Sequence, residues 1–261
     1  MPKPVYCHLK TSTFDADYAA YERAGAPLEL CIYGEELDQW KTNGVADKLA
    51  RLKRGYDPPT TLHGPVYGWD PASKDGAIRE LAWRRLKADF EIAALIDPET
   101  IVFHSSYNHY QYGFIQDYWI ETTADFYRRA LAELPGKARL AIENIYDTDP
   151  EPLCKMIAAV DDPRLGHCFD IGHFTMFQKN YAADRWLAAF AGKLYHLHVH
   201  DNRGREDLHL PPGQGSIDYR PLIAVLEKTA HPFSATIEGL SPEANFAGVD
   251  YVRRHFPTYG I

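Results

Sequence analysis

Short apolar stretches alternate with longer amphipathic ones along the whole chain. The short ones lie at residues 4–9, 28–33, 60–64, 100–105, 138–144, 165–170, 194–200 and 233–239. Each is rich in apolar or β-branched residues and brief enough to be a β-strand. The gaps carry helical signals. Asp70-Pro71 reads as an N-cap with proline at the first helical position, opening a run to about Leu95, and Asp149-Pro150 reads the same way ahead of Leu153, Met156 and Ile157. Residues 14–23, 46–54, 118–133, 182–190, 219–229 and 243–255 place apolar residues at helical spacing. Eight βα units without a polar linker predict a single (β/α)8 TIM barrel spanning residues 1–261, with a doubly wound open sheet as the structural rival.

The strand pattern also places the polar residues. Side chains alternate faces with period two, so in ARLAIEN Leu140 and Ile142 share one face and Glu143 takes the other. In FSATIEG, Glu238 opposes Phe233, Ala235 and Ile237. In LYHLHVH, His196, His198 and His200 oppose Tyr195, Leu197 and Val199. A barrel strand packs one face on helices and points the other inward. Acids and imidazoles would then converge near the C-terminal ends of the strands, where this fold places its active sites. Successive strands end at or near His63, His104, Glu143, Asp170 (with His173 just beyond), His198 (with Asp207 and His209 in the following loop) and Glu238. A lone strand-end histidine is more often structural than a ligand, but a buried carboxylate is costly without a partner. Nine such residues at one end argue for a metal site. His196 is expected deeper than His198, and His200 competes with His198 as a ligand. His8, His109, His167, His231 and His255 read as structural.

Composition narrows the chemistry only slightly. The chain is 45% hydrophobic and 25% charged, ordinary for a globular protein, with a formal net charge of -8. That charge argues mildly against nonspecific nucleic-acid binding. No apolar run reaches the length of a membrane helix and the N-terminus lacks a secretory h-region, so a cytoplasmic protein is expected. Cys7, Cys31, Cys154 and Cys168 are scattered and read as reduced thiols. There is no dinucleotide fingerprint or P-loop. Mixed carboxylate and imidazole donors suit Zn2+ or Mn2+ first, with Fe2+, Co2+ or Mg2+ as alternatives, better than Ca2+.

These residues in this order resemble the xylose isomerase-like TIM barrel superfamily of sugar phosphate isomerases/epimerases and endonuclease IV relatives. The strongest pieces are FDIGH and HVHDNRGREDLHLPPGQGSID, supported by the IEN and IEG strand ends. The resemblance implies two alternatives. In the epimerase-like one, Glu143, Asp170, His198 and Glu238 hold one metal that polarises a carbonyl. Glu143 and Glu238 are then the acid/base pair, and His63, His104, His173, Arg203 and Arg205 bind a small carbohydrate. In the endonuclease IV-like one, His63, His104, His173, Asp207 and His209 join them in a three-metal phosphodiesterase site. A third alternative is a barrel that binds metal or polyol without catalysis. The loop YGEELDQW is acidic where DNA contact would favour Arg or Lys, and LHGPVYG and DNRGREDLHLPPGQGSID resemble the isomerase group, so a sugar or sugar-phosphate isomerase/epimerase leads. Tyr67, Trp69, Tyr107 and Tyr110 are candidates to line the pocket. The sequence leaves the oligomeric state open.

Overall fold

In a computed structural model, residues 4–56, 58–178, 182–228 and 233–256 are described. The strands are β1 (Val5–Lys10), β2 (Leu28–Cys31), β3 (Thr60–His63), β4 (Thr100–His104), β5 (Arg139–Glu143), β6 (Leu165–Asp170), β7 (Leu194–Val199) and β8 (Ser234–Ile237). They pair in parallel in chain order, and β1 pairs with β8 to close the barrel. The helices are α1 (Phe14–Ala24), α2 (Gly34–Asp38), α3 (Val45–Gly55), α4 (Gly76–Ile96), α5 (His109–Tyr112) and α6 (Gln116–Glu133). They continue with α7 (Glu151–Val160), α8 (Ile171–Phe177), α9 (Ala183–Phe190), α10 (Tyr219–Leu226) and α11 (Pro242–His255). None is long and apolar enough to cross a membrane among the described residues.

The period-two pattern explains the layering. Outward-facing Leu30, Ile101, Phe103, Leu140, Ile142, Phe169, Leu197 and Ile237 join the helices in one continuous core. His167 faces outward too and stacks on Phe190 with ring centroids 3.8 Å apart. Inside the barrel, Val102, Ala141 and Cys168 form a small apolar patch. The rest of that level is polar, with Glu29, Thr61, His196 and Thr236 all buried. All four cysteines are free thiols, and Cys7, Cys31 and Cys168 are buried.

Two helix starts differ from the sequence reading. Helix α4 begins at Gly76, where Asp75 accepts the amide of Ala77 at 2.8 Å. Asp70 instead accepts the hydroxyl of Tyr112 at 2.6 Å. Between β3 and α4, Trp69 joins the outer core, stacking on Phe103 and donating to the His104 carbonyl at 3.0 Å. At α7 the offset is one residue, with Asp149 accepting the amide of Glu151 at 2.8 Å. Helix α10 ends at Leu226, short of the predicted 229, which lies outside the described residues, as does His231. The short helices α2, α5 and α8 carry too few turns to show helical periodicity.

Buried Asn245 on α11 fastens the closure between β1 and β8. Its Oδ1 accepts the Gly239 amide at 2.7 Å, and its Nδ2 donates to the His8 carbonyl at 3.0 Å and to Tyr21 Oη at 2.7 Å. Gly239 is needed there, because a Cβ would lie 2.9 Å from Ala244 Cβ and from two atoms of Asn245. Asn245→Ala strands several buried polar groups and is expected to destabilise the protein by about 2–4 kcal/mol in urea denaturation. The exposed Arg254→Ala should change stability by less than about 0.5 kcal/mol, and equal effects would refute the clamp.

Candidate metal centre

Strands β3, β4, β5 and β6 end at His63, His104, Glu143 and Asp170, as the sequence predicts. His198 lies inside β7, with His200 just beyond it, and Glu238 directly follows β8. Each local motif has a mechanical reason. In FDIGH, Phe169 packs outward on Trp186 and Phe190, while Asp170 points inward and accepts the His173 amide, capping α8. A Cβ on Gly172 would fall 2.0 Å from the His200 ring, so glycine makes room for that imidazole. In IEN, Asn144 brackets the Asp170 backbone, accepting its amide at 2.9 Å and donating to its carbonyl at 3.0 Å. After β7, Asp201 accepts the amides of Gly213 at 2.9 Å and Ile217 at 3.1 Å, and Asn202 donates to the Gly172 carbonyl at 3.0 Å. This loop brings Asp207 and His209 back over the barrel.

All nine predicted ligands join one network. Glu143 Oε2 lies 3.4 Å from His63 Nε2, 3.5 Å from His104 Nε2 and 3.2 Å from His198 Nδ1. His198 Nδ1 is also 3.3 Å from Glu238 Oε1 and 3.8 Å from Asp170 Oδ2. His173 Nδ1 is 3.0 Å from Glu143 Oε1, and its Nε2 is 3.3 Å from Asp207 Oδ2. His209 Nε2 is 3.0 Å from the same Asp207 oxygen. His198 and His200 both approach the carboxylates, from different sides, His200 Nε2 lying 3.8 Å from Glu238 Oε2. His198 faces Glu143 and Glu238, while His200 lies 3.2 Å from Asp170 Oδ1 and stacks on His209 at 4.2 Å. His200 groups with His173, Asp207 and His209 as a set able to hold an ion, while His63, His104 and Glu143 form another.

The donor set fits a divalent cation. Both Glu143 oxygens, Asp170 Oδ2, Glu238 Oε2 and both ring nitrogens of His198 and His200 are buried without an aligned hydrogen-bond partner. Orphaned buried groups of this kind are costly, and a cation would satisfy them together. Several imidazoles are also set for ligation. The Nδ1 atoms of His63, His173 and His209 face the carbonyls of Gly64 at 2.8 Å, Asn144 at 3.2 Å and Glu238 at 2.8 Å. A carbonyl only accepts, so Nδ1 carries hydrogen and Nε2 is left for the ion.

The remaining candidates sort differently. Arg203 and Arg205 are exposed and form no hydrogen bond or ion pair among the described residues. Trp69 and Tyr107 are buried, Tyr107 packing edge-on against Trp119, whereas Tyr67 is 70% exposed. Tyr110 is 91% exposed and, with His109, Tyr146 and Phe177, lines a cavity of about 400 Å³. His255 packs on Tyr251. His8 is buried as expected, yet its ring lies 6.4 Å from His63 and its Nε2 has no partner, which places it at the edge of the site. Glu29 was missed: it is fully buried on β2 and reaches His198 from below. Its alternation with Leu28 and Leu30 is the signal that could have found it.

Burial penalises charge throughout, and neighbours decide each outcome. At Glu143 burial opposes ionisation, but His198, His104 and His173 outweigh it and hold the carboxyl well below its usual range. At Glu238 burial prevails and raises the carboxyl. Burial also works against charge on His198, but Cys168, Glu238, Glu143 and Glu29 raise it well above the ordinary imidazole value. His173 is raised likewise, against burial, by Asp170, Asp207 and Glu143. His209, opposed by burial, is pushed up to about 9 by Asp207 and Glu238. Burial takes His104 down to about 3.

The chain belongs to the xylose isomerase-like TIM barrel family, whose profile matches residues 16–254. An uncharacterized protein of Methanocaldococcus jannaschii, MJ1311, is 28% identical over 194 residues, covering 69% of this chain and 63% of that protein. The chain thus spans less than two thirds of that relative's length. Among solved structures, the TTHB071 protein from Thermus thermophilus, soaked with ZnCl2, superposes with a TM-score of 0.78 at 23% identity, covering 96% of each chain. A D-tagatose 3-epimerase-like protein gives 0.77 at 19% identity, covering 98% of each. An AP endonuclease, family 2, from Brucella melitensis gives 0.70 at 16% identity, covering 98% of this chain and 100% of the other. At these identities the likeness establishes the fold and leaves the reaction open.

In the metal-free protein the raised histidines hold protons, which an entering ion must expel. Apparent Zn2+ affinity is expected to climb as pH rises from 6.5 towards about 9. Calorimetry in buffers of different ionisation enthalpy should show proton release on binding. A pH-independent affinity would contradict these histidines as ligands.

Proposed function

We propose that the protein is a divalent-metal-dependent isomerase or epimerase acting on a sugar or sugar phosphate. The observation that carries this is the convergence of Glu143 and Glu238, from β5 and β8, on the same His198 Nδ1 at 3.2 and 3.3 Å. Both are buried at the C-terminal end of the barrel. Zn2+ or Mn2+ held by Glu143, Asp170, His198 and Glu238 would supply a Lewis acid beside the substrate carbonyl. One glutamate takes the proton from the adjacent carbon and the other returns it. In this reading His63, His104 and His173 bind substrate hydroxyls. The solved D-tagatose 3-epimerase-like relative is in keeping with this reading.

One observation favours a second reading. His173, His200, Asp207 and His209 form a separate ion-competent corner that a one-metal proton transfer does not use. Filled together with the central site, it would make an endonuclease IV-like phosphodiesterase.

Metal-loaded protein is expected to exchange solvent deuterium into a carbon of at least one sugar in a ketose and aldose panel. Glu238→Gln should slow that exchange by about 10²-fold or more. Two or three bound ions per chain, no exchange and incision of an abasic-site duplex would replace the first reading with the second.

A further inference from the structure

Glu29 lies beneath the ligands, fully buried, in a strand that contributes no metal ligand to either reading above. Its surroundings fix the role of each oxygen. Oε2 accepts the hydroxyls of Thr61 and Thr236, each at 3.0 Å. Oε1 is left to face His198 Nε2 at 3.1 Å.

The donors below run in one direction. Because Thr236 gives its proton to Glu29, its oxygen is free to accept from His196 Nε2 at 2.8 Å. His196 Nδ1 then accepts from Ser234 Oγ at 2.7 Å. With both nitrogens engaged, His196 has no lone pair to give an ion. Glu29, His196 and His198 are close enough to hold a metal, but this hydrogen bonding closes that deep site. What remains is a carboxylate oxygen and one imidazole edge.

That edge determines what His198 presents above. With an ion bound, the nearby carboxylate favours the hydrogen on Nε2 and leaves Nδ1, its own proton expelled, to the ion. Nδ1 then looks at Glu143, Glu238 and Asp170, at 3.2, 3.3 and 3.8 Å. Three carboxylates and a ring nitrogen facing one another make a stable arrangement around a cation.

We propose that Glu29 is a positioning residue for the metal centre: its Oε1, in close charge contact with His198 Nε2 though not in an aligned hydrogen bond, orients Nδ1 as a ligand towards the ion shared with Glu143, Asp170 and Glu238. A carboxylate behind a ligating imidazole fixes its tautomer and raises its basicity. The proposal rests on the reading of His198 as a ligand and is independent of the reaction catalysed.

Direct titration with Zn2+ and Co2+ tests it without a substrate. Glu29→Gln, close in shape, is expected to weaken one binding step by about 10- to 100-fold and to alter the visible Co2+ absorption of that site. Circular dichroism of the variant should remain native. If Glu29→Gln does not fold, Thr236→Val keeps the carboxylate but loosens it, and should weaken the same step at least threefold, by about 0.6 kcal/mol or more. A folded variant with wild-type affinity and an unchanged Co2+ spectrum would overturn the positioning role while leaving the metal centre intact. Failure of the wild-type protein to bind either ion would overturn the metal reading itself, and this proposal with it.

Discussion

The upper half of this barrel is governed by one electrostatic constraint: several carboxylates and imidazoles are buried with their acceptor atoms facing one another. Glu29, Glu143, Asp170 and Glu238 are almost wholly removed from water, as are His63, His198 and His200. Isolated buried charges of this kind are expensive, and mutual attraction compensates only when geometry and hydrogen bonding are good. Here many of the atoms lack an aligned partner. The protein can relieve that cost by holding protons on histidines or by binding cations. Both are possible only if the groups are held in place against their repulsion.

The holding is done largely through the backbone. Asn144 ties the end of β5 to Asp170, Asn202 ties the β7 loop to Gly172, and Asn245 ties the turn after Glu238 to β1. Each asparagine offers a donor and an acceptor to main-chain groups, which lock a strand end whatever its side chain does. Glycines act in the complementary way. Gly172 admits the His200 ring, and Gly215 admits Asp201, whose Oδ1 would lie 2.1 Å from an added Cβ. The floor below is polar rather than aliphatic, so rigidity passes from Ser234 through His196, Thr236 and Glu29 to His198. A buried polar network is stabilising only when its members are satisfied, and this one is satisfied from Ser234 to Glu29 Oε2, with Glu29 Oε1 and His198 Nε2 meeting in a 3.1 Å charge contact above it.

Much of this was legible in the sequence. Period two gave the inward faces of β5, β7 and β8, and strand length located His63, His104, Glu143 and Asp170 at the strand ends. Legibility failed where a residue's role depends on a distant partner. Glu29 sits in LELC as plainly as Glu143 sits in RLAIE. It drew no attention because it is not at a strand end, and only barrel closure brings it under His198. His8 looked structural because its strand ends at Lys10, beyond the imidazole. The asparagines act on carbonyls and amides, which leave no mark in a pattern of side chains. Asp70-Pro71 caps a turn rather than a helix: Asp70 Oδ1 accepts the Ala72 amide and Oδ2 the Tyr112 hydroxyl, while α4 starts at Gly76 behind its own cap, Asp75.

Charge balance decides how the two functional readings differ physically. One divalent ion at Glu143, Asp170, His198 and Glu238 offsets only part of the negative charge, leaving Asp207 to be neutralised by His173 and His209. Both imidazoles are raised towards their charged forms by that carboxylate against the cost of burial. In that state the corner is a salt-bridged wall, with His173 held between Asn144, Glu143 and Asp207. Ions in the corner would displace those protons and turn the same residues into ligands. The geometry accommodates either, because His173 Nε2 and His209 Nε2 lie 3.3 and 3.0 Å from one oxygen of Asp207. The central site and its Glu29 support are common to both states. The two proposed readings therefore differ in whether protons or metal ions neutralise Asp207.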